Sequence, residues 1–413
     1  MKKNYLGLIS CMLVVAAVKT QAQDTIQKPR SLDRYIESDV VPLAGKKGFS
    51  FETRTGDFMF KPFALVQTNF DVNYYDDEGL NLADQDRIAN SGFGIPNALI
   101  GFAGKAFDKV TFNITLNAAN QGGGLLQQAW VEYNMHEALR FRVGKFKTPY
   151  TQAYLVTLGQ TLFPSLPVSL TAPVSIPFSI NSVNPNFVTG FDLGVQLHGL
   201  IKSRWEYRLG IFNGTGIDVN SAKKTLSDDS KVPSLLYAAR LAYMPWGNMP
   251  QHQGSPDDLN NHKILFALSG SYNVEANWEA SNDARAGVEF AYLCNRWYFT
   301  AEAYWLNVKF AKKQQIAPAY NFVAGYVQGG YFIKNNVQLA ARYDFFDRNS
   351  LKTDGFLNAP ALGLNYFIAG YNLKLQAMYQ YLGKWGHENQ LERDNDDLGL
   401  AQHGVRVMFQ YSF

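Results

Sequence analysis

The chain has 413 residues, of which 46% are hydrophobic, and 38 Lys and Arg stand against 35 Asp and Glu for a formal net charge of +3. That balance excludes the basic footprint of a nucleic-acid binder, and two cysteines, one of them at position 11, exclude a disulfide framework. No apolar run approaches the ~20 residues of a membrane-spanning helix, yet aromatic residues make up 14%, and the slightly negative mean hydropathy is shared by soluble proteins and by barrels with a polar interior.

Residues 1–22 read as a secretory signal peptide. Lys2 and Lys3 precede an apolar stretch from Leu6 to Val18, and Thr20-Gln21-Ala22 supplies small residues before a cleavage site. Leu8-Ile9-Ser10-Cys11 also fits a lipid-attachment box, but the apolar run continues past Cys11. Residues 23–48 are polar, lack alternation and read as an N-terminal periplasmic segment.

From Phe49 to Phe413 the period changes to two, in roughly sixteen segments. Val110, Phe112, Ile114 and Leu116 alternate with Thr and Asn; Trp205, Tyr207, Leu209 and Ile211 alternate with Glu206, Arg208 and Gly210. Trp297, Phe299, Ala301 and Ala303, then Val337, Leu339, Ala341, Tyr343 and Phe345, then Leu373, Leu375, Ala377, Tyr379 and Tyr381 follow the same rule. Side chains on a strand point alternately to its two faces, so each segment has one greasy face and one polar face.

Connections between segments are alternately short and long. Short ones fall near Phe107-Asp108-Lys109, Met135-His136-Glu137, Lys202-Ser203, Asn295-Arg296, Lys334-Asn335-Asn336 and Ala369-Gly370-Tyr371; long ones fall near 76–92, 149–186, 214–234, 311–318, 348–355 and 384–400. The connection 247–261 is long on the short side. Charged residues recur on the polar face in mid-strand and no helical layer offers a separate core, so the greasy face meets lipid. The fold class is all-β: a transmembrane antiparallel β-barrel of about 16 strands over 49–413, closed because open edges leave unpaired backbone groups in hydrocarbon. A soluble β-sandwich would share the alternation, but not the length or the order of turns.

The last segment, Val405 to Phe413, ends on an aromatic residue and resembles the closing strand of bacterial outer-membrane barrels. Arg140-Phe141-Arg142-Val143-Gly144-Lys145-Phe146-Lys147-Thr148-Pro149-Tyr150, Asp192-Leu193-Gly194-Val195-Gln196-Leu197-His198-Gly199 and Tyr207-Arg208-Leu209-Gly210-Ile211-Phe212-Asn213-Gly214-Thr215-Gly216 resemble, in order, hallmarks of the phosphate-selective porin O and P family, in its Bacteroidetes form. The resemblance implies a Gram-negative outer membrane, a homotrimer, a long inward-folded loop, and a channel for small hydrophilic solutes or anions such as phosphate, with outer-membrane lipid outside and no cofactor.

The chain departs from that family in the expected constriction loop. Residues 149–186 contain six prolines and no Lys, Arg, Asp, Glu or His, which suits a stiff apolar insert whose Leu162, Phe163, Leu166, Val168, Leu170, Ile176, Phe178 and Ile180 pack on the wall. Alternation places Arg140, Arg142, Arg208, Arg240, Arg285, Arg342, Lys374 and Arg406 on the polar face, with Lys105. Asp71, Glu132, Asp192, Glu206, Glu289, Glu302 and Asp344 share that face. Lys145 and Lys147 take the opposite parity unless a bulge near Gly144 turns them inward. Arg140, Arg142, Lys145 and Lys147 form either a basic stripe that draws anions into the pore or lumen charges paired with Glu132 and Glu206 on neighbouring strands, which keep the wall solvated and rigid.

Glu392-Arg393-Asp394-Asn395-Asp396-Asp397-Leu398-Gly399 matches part of a calcium loop without its closing Glu, and reads as a solvated external loop. None of the six histidines has metal-ligand spacing, and His198 reads as structural. Trp205, Trp297 and Trp305 suit an interfacial girdle. A barrel enzyme of lipase or protease type, a surface-anchoring barrel and a hatch-bearing lipid transporter are the competing classes; the first lacks a nucleophile motif, and the polarity of 23–47 argues against a plug.

Overall fold

A computed structural model describes residues 40–45, 48–76, 87–107, 109–120, 124–170, 190–214, 235–274, 280–310, 319–347, 356–383 and 401–413. Residues 1–39, which hold the expected signal peptide, residues 46 and 47, residues 171–186 of the long loop and the acidic loop 392–399 lie outside them. A strand at Val40–Gly45 (β1) falls in the stretch where alternation marked none, and Gly48–Thr53 (β2) pairs with the next strand.

Sixteen antiparallel strands make the wall: β3 Phe58–Asp76, β4 Arg87–Ala106, β5 Val110–Asn117, β6 Leu126–His136, β7 Leu139–Lys147, β8 Phe191–Ile201, β9 Trp205–Phe212 and β10 Leu236–Tyr243, then β11 His262–Val274, β12 Ala280–Cys294, β13 Trp297–Phe310, β14 Ala319–Lys334, β15 Val337–Asp347, β16 Phe356–Ala369, β17 Leu373–Leu382 and β18 Ala401–Ser412. Each pairs with its sequence neighbours, and β18 pairs with β3 to close the barrel. The seam is held by a two-pronged ion pair, Arg406 Nε and Nη2 each 2.7 Å from an Asp71 carboxylate oxygen, and by the Ala64 and Phe413 backbones, whose amides each donate to the other's carbonyl. Closure satisfies every ladder edge, which a wall in lipid requires.

Burial follows the two-residue period. Leu209, Ile211, Leu241, Phe266, Leu268, Val288, Leu339 and Leu362 are exposed outward, while Arg240, Glu289, Glu302, Arg342 and Gln376 are buried inward. At the end carrying the short connections, outward rings pair across strands: Phe49 with Phe413, Phe58 with Phe107, Phe60 with Phe102, Trp205 with Tyr243, and Trp297 with Tyr331. Rings that are apolar in body and polar at the rim settle at a membrane–water interface, and Trp205, Trp297 and Trp305 are all exposed outward as the girdle expectation required. Pairing is irregular at several strand ends, and within the long β3–β4 ladder the register slips between Gln67 and Asn69, opposite Pro96, which has no amide to donate.

Candidate functional site

The long connection after β7 turns inward and runs down the barrel. Residues 148–170 are largely buried, with Thr148, Tyr150, Thr151, Ser169 and Leu170 at 0% exposure. Thr151 caps a one-turn helix, Gln152–Leu155, by accepting from the Tyr154 amide. The segment then descends to Gly159–Leu162. There Gln410, three residues from Phe413, donates to Gly159 O at 3.0 Å, and Lys374, at the start of β17, donates to Thr161 O at 3.3 Å. Both partners belong to the short-turn end. The chain then climbs: Arg342 donates to Ser165 O at 3.0 Å, and the Asp344 carboxylate accepts from Val168 N and Ser169 Oγ at 3.2 Å each.

An uncharged segment is thus held by the charges of the wall. Glu302 accepts from the Ala153 amide at 2.8 Å, from Tyr304 Oη at 2.7 Å and from Tyr326 Oη at 2.6 Å, so a carboxylate sits at the N-terminus of the one-turn helix with its lone pairs satisfied. Arg240 donates to Glu289 Oε2 through Nε at 2.9 Å and Nη2 at 2.8 Å, to Glu206 Oε1 through Nη1 at 2.8 Å, and to Gln152 Oε1 through Nη2 at 2.9 Å. Tyr150 Oη donates to Ala286 O at 3.0 Å; it is buried, which pushes its phenol pKa up. Apolar side chains fill the space between. Leu162 and Phe163 pack with Met244, Leu265, Leu293, Tyr298 and Met378, and Tyr150 and Leu170 with Leu306, Phe322, Phe346 and Leu357. The expectation that Leu162, Phe163, Val168 and Leu170 lie on the wall is met.

Among the described residues the segment touches the opposite wall, β3 to β9, at fewer places, near Lys147, Phe191 and Leu65. Arg142 lies 2.6 Å from Glu132 Oε2 and stacks 4.1 Å from the Trp130 ring, and His198 Nε2 meets the same carboxylate oxygen at 2.8 Å. Arg208 pairs with Glu206 at 2.8 Å. Arg140 stands beside His198 in register, which in turn faces Arg208, and its Nε has no hydrogen-bond partner among the described residues. Neutral amides link along the rest: Gln410 to Gln67, Gln67 to Asn97, and Gln128 to Thr115.

Of the charged residues singled out in sequence, those on the polar face point inward, but most are already paired. Arg285 pairs Asp283 at 3.0 Å, and Arg342 pairs Asp344 at 2.9 Å. The bulge near Gly144 is absent, since both ladders run through it without a register shift. Gly144 instead adopts φ +128°, where a Cβ would lie 2.2 Å from Ala129 O. After this twist Lys145 is buried with Nζ 3.0 Å from Leu126 O, and Lys147 Nζ reaches Tyr154 O at 2.6 Å and Val156 O at 3.0 Å at the end of the one-turn helix, where a cation is favoured. The residues missed in sequence are neutral: Gln253, Asn365, Gln376 and Gln410 hold the segment's backbone. Their only signal was an amide at an inward strand position or, for Gln253, the anomalous length of its connection.

The model of one protein family, phosphate-selective porin O and P, matches residues 66–413. The chain belongs to that family. This porin is therefore a small-solute channel of the Gram-negative outer membrane. An uncharacterized protein of Aquifex aeolicus (strain VF5) is 22% identical over 308 residues, covering 69% of the porin and 68% of the relative. Among solved structures, an anion-selective porin from Comamonas acidovorans is 12% identical at a TM-score of 0.55, covering 86% of this chain and all of that one. The outer membrane channel DcaP of Acinetobacter baumannii is 13% identical at 0.50, covering 90% of this chain and all of that one. At these identities the likeness concerns the fold.

Proposed function

We propose that the porin conducts passively along the uncovered wall, β3 to β9, making and breaking no bond. The observation that carries this reading is the division of the described interior: the inserted segment buries the charges of β10 to β17, while Arg142, Arg208, Glu206, Arg406 and Asp71 on the other side keep partial exposure. Arg140, Arg142, Arg208 and Arg406, with Glu132 and Glu206, line that path. Arg240, Arg285, Arg342, Lys374 and Glu302, and Lys145 and Lys147 at its rim, act by shaping the path rather than by meeting solute.

Paired charges leave a weak net field, so selectivity is mild. It leans toward anions because Arg140 stands among Arg142 and Arg208 without a carboxylate of its own among the described contacts. Small hydrophilic solutes, with small anions such as phosphate favoured among them, suit a wall of this kind. A homotrimer in the outer membrane is the assembly we propose. Planar-bilayer recording of the purified, detergent-folded protein tests the reading: stepwise conductance with a reversal potential shifted toward Cl⁻ supports it, and the absence of steps overturns it.

A further inference from the structure

Six of the seven connections joining wall strands at the short-turn end use two or three residues; the seventh, between β10 and β11, uses residues 244–261. A hairpin at that position needs no such length. The extra residues re-enter the barrel mouth. Met249, Gln253, Gly254 and Ser255 are buried, and the Met249 amide donates to Met244 Sδ at 3.2 Å.

The point they reach is the tip of the inserted segment. The Gln253 amide donates to Gln160 O at 2.9 Å, and Gln253 Oε1 accepts from the Leu162 amide at 2.8 Å and from Gln328 Nε2 at 3.1 Å. One residue thus pairs with two backbone groups of the tip in the manner of a short ladder, and ties them to β14. The wall takes the other groups of the same tip: Asn365 and Gln376 reach Leu162 O, and Gln410 reaches Gly159 O. Without Gln253, a buried amide and a buried carbonyl of the tip have no protein partner among these contacts. The residue after it fixes the approach. Gly254 has φ +86° and accepts from Tyr371 Oη, and a Cβ there would lie 2.6 Å from Gln338 Nε2.

We propose that the β10–β11 connection is a clasp, inserted from the short-turn mouth, that locks the tip of the constriction segment against the wall, with Gln253 as its positioning residue. The segment carries no charge to anchor itself, enters from the opposite mouth, and has its farthest point where the clasp meets it. Clasped, the constriction has one position and the channel one conductance level; unclasped, the tip swings between wall and lumen.

Two variants of the full chain test this. Gln253→Ala removes the side-chain acceptor, and Gln253→Glu keeps an oxygen for the Leu162 amide. Hydrogen exchange at Leu162, followed in the detergent-folded protein, is expected to accelerate at least tenfold in Gln253→Ala and to return toward the parent rate in Gln253→Glu. Single-channel records are expected to change from one steady level to flicker between levels in the first variant only. Heat-modifiable gel migration shows that each barrel is closed; should the alanine variant not close, replacing residues 249–258 by a two-residue Gly-Ser turn provides the same readouts. Parent-like exchange at Leu162 and a steady level in a closed variant overturn the clasp. The inference rests on the channel reading only for the current. A parent protein that never conducts refutes that reading, while exchange at Leu162 still decides the clasp.

Discussion

The two halves of this barrel use the same strand pattern for opposite ends. On β10 to β17 the inward residues meet an inserted segment. Their charges are buried beneath it, as in the Arg240–Glu289 pair with exposures of 2% and 0%, where Arg240 also donates to the Gln152 side chain. On β3 to β9 and the seam, the ion pairs form between wall residues, and several keep partial exposure, as in Arg406–Asp71 at 31% and 25%. Alternation alone makes these halves look identical. What separates them is the occupant of the lumen, and an ion pair's energetic weight follows its exposure.

Removing the occupant is the strongest way to break the difference. Replacing residues 152–170 by a short Gly-Ser linker is expected to raise single-channel conductance several-fold in bilayers, because both halves then face water; an unchanged step would mean that the segment narrows nothing. Next in size, Arg240→Met strands Glu289, leaving Glu206 to Arg208 alone, and is expected to lower unfolding stability by about 3–5 kcal/mol, whereas Arg406→Met is expected to cost at most about 1 kcal/mol. Urea titration of both variants in the same detergent checks the ratio, and equal losses would erase the distinction between the halves.

Arg142→Glu sharpens the comparison through selectivity. It reverses a charge on the uncovered wall and breaks the Glu132 pair, so the reversal potential in a KCl gradient is expected to move toward cations; Arg342→Gln, beneath the segment, is expected to leave it in place. The smallest effect concerns pH. In the clasp, His252 Nε2 lies 3.1 Å from Asp258, and buried Nδ1 has no hydrogen-bond partner. Burial lowers the imidazole pKa below its ordinary 6.5 in spite of Asp258. The folded clasp therefore binds a proton less readily than the open chain, so its stability is full above about pH 6.5 and declines as pH falls toward the lowered value. Leu162 exchange, corrected for intrinsic pH dependence, is expected to rise modestly between pH 7.5 and 5.5 and to do so less in His252→Gln.

Much of the wall was legible in sequence because each wall strand keeps one apolar face, and a period of two cannot slip without bringing charge onto it. The inward direction of Arg240, Glu302 and Arg342 followed from their parity. Their partners did not follow, since Glu302 bonds an amide 149 positions away, and nothing in a strand's period encodes what fills the lumen. Lys145 and Lys147 were ambiguous for a local reason: Gly144 turns the backbone without adding a residue, so no bulge was needed. The clasp left one trace, a connection too long for its side, but the amide groups that make it work have no pattern of their own.

The central claim, that one half of the interior is wet and the other sealed, is tested most directly by cysteine accessibility in a Cys294→Ser background. Asn113 faces inward on the uncovered wall, and Ala324 is at 0% exposure under the segment. With a charged, water-soluble thiol reagent added during bilayer recording, Asn113→Cys is expected to react promptly and reduce the current. Ala324→Cys is expected to remain unmodified until residues 152–170 are removed. Prompt reaction at Ala324→Cys in the intact chain, with Asn113→Cys inert, would contradict the account.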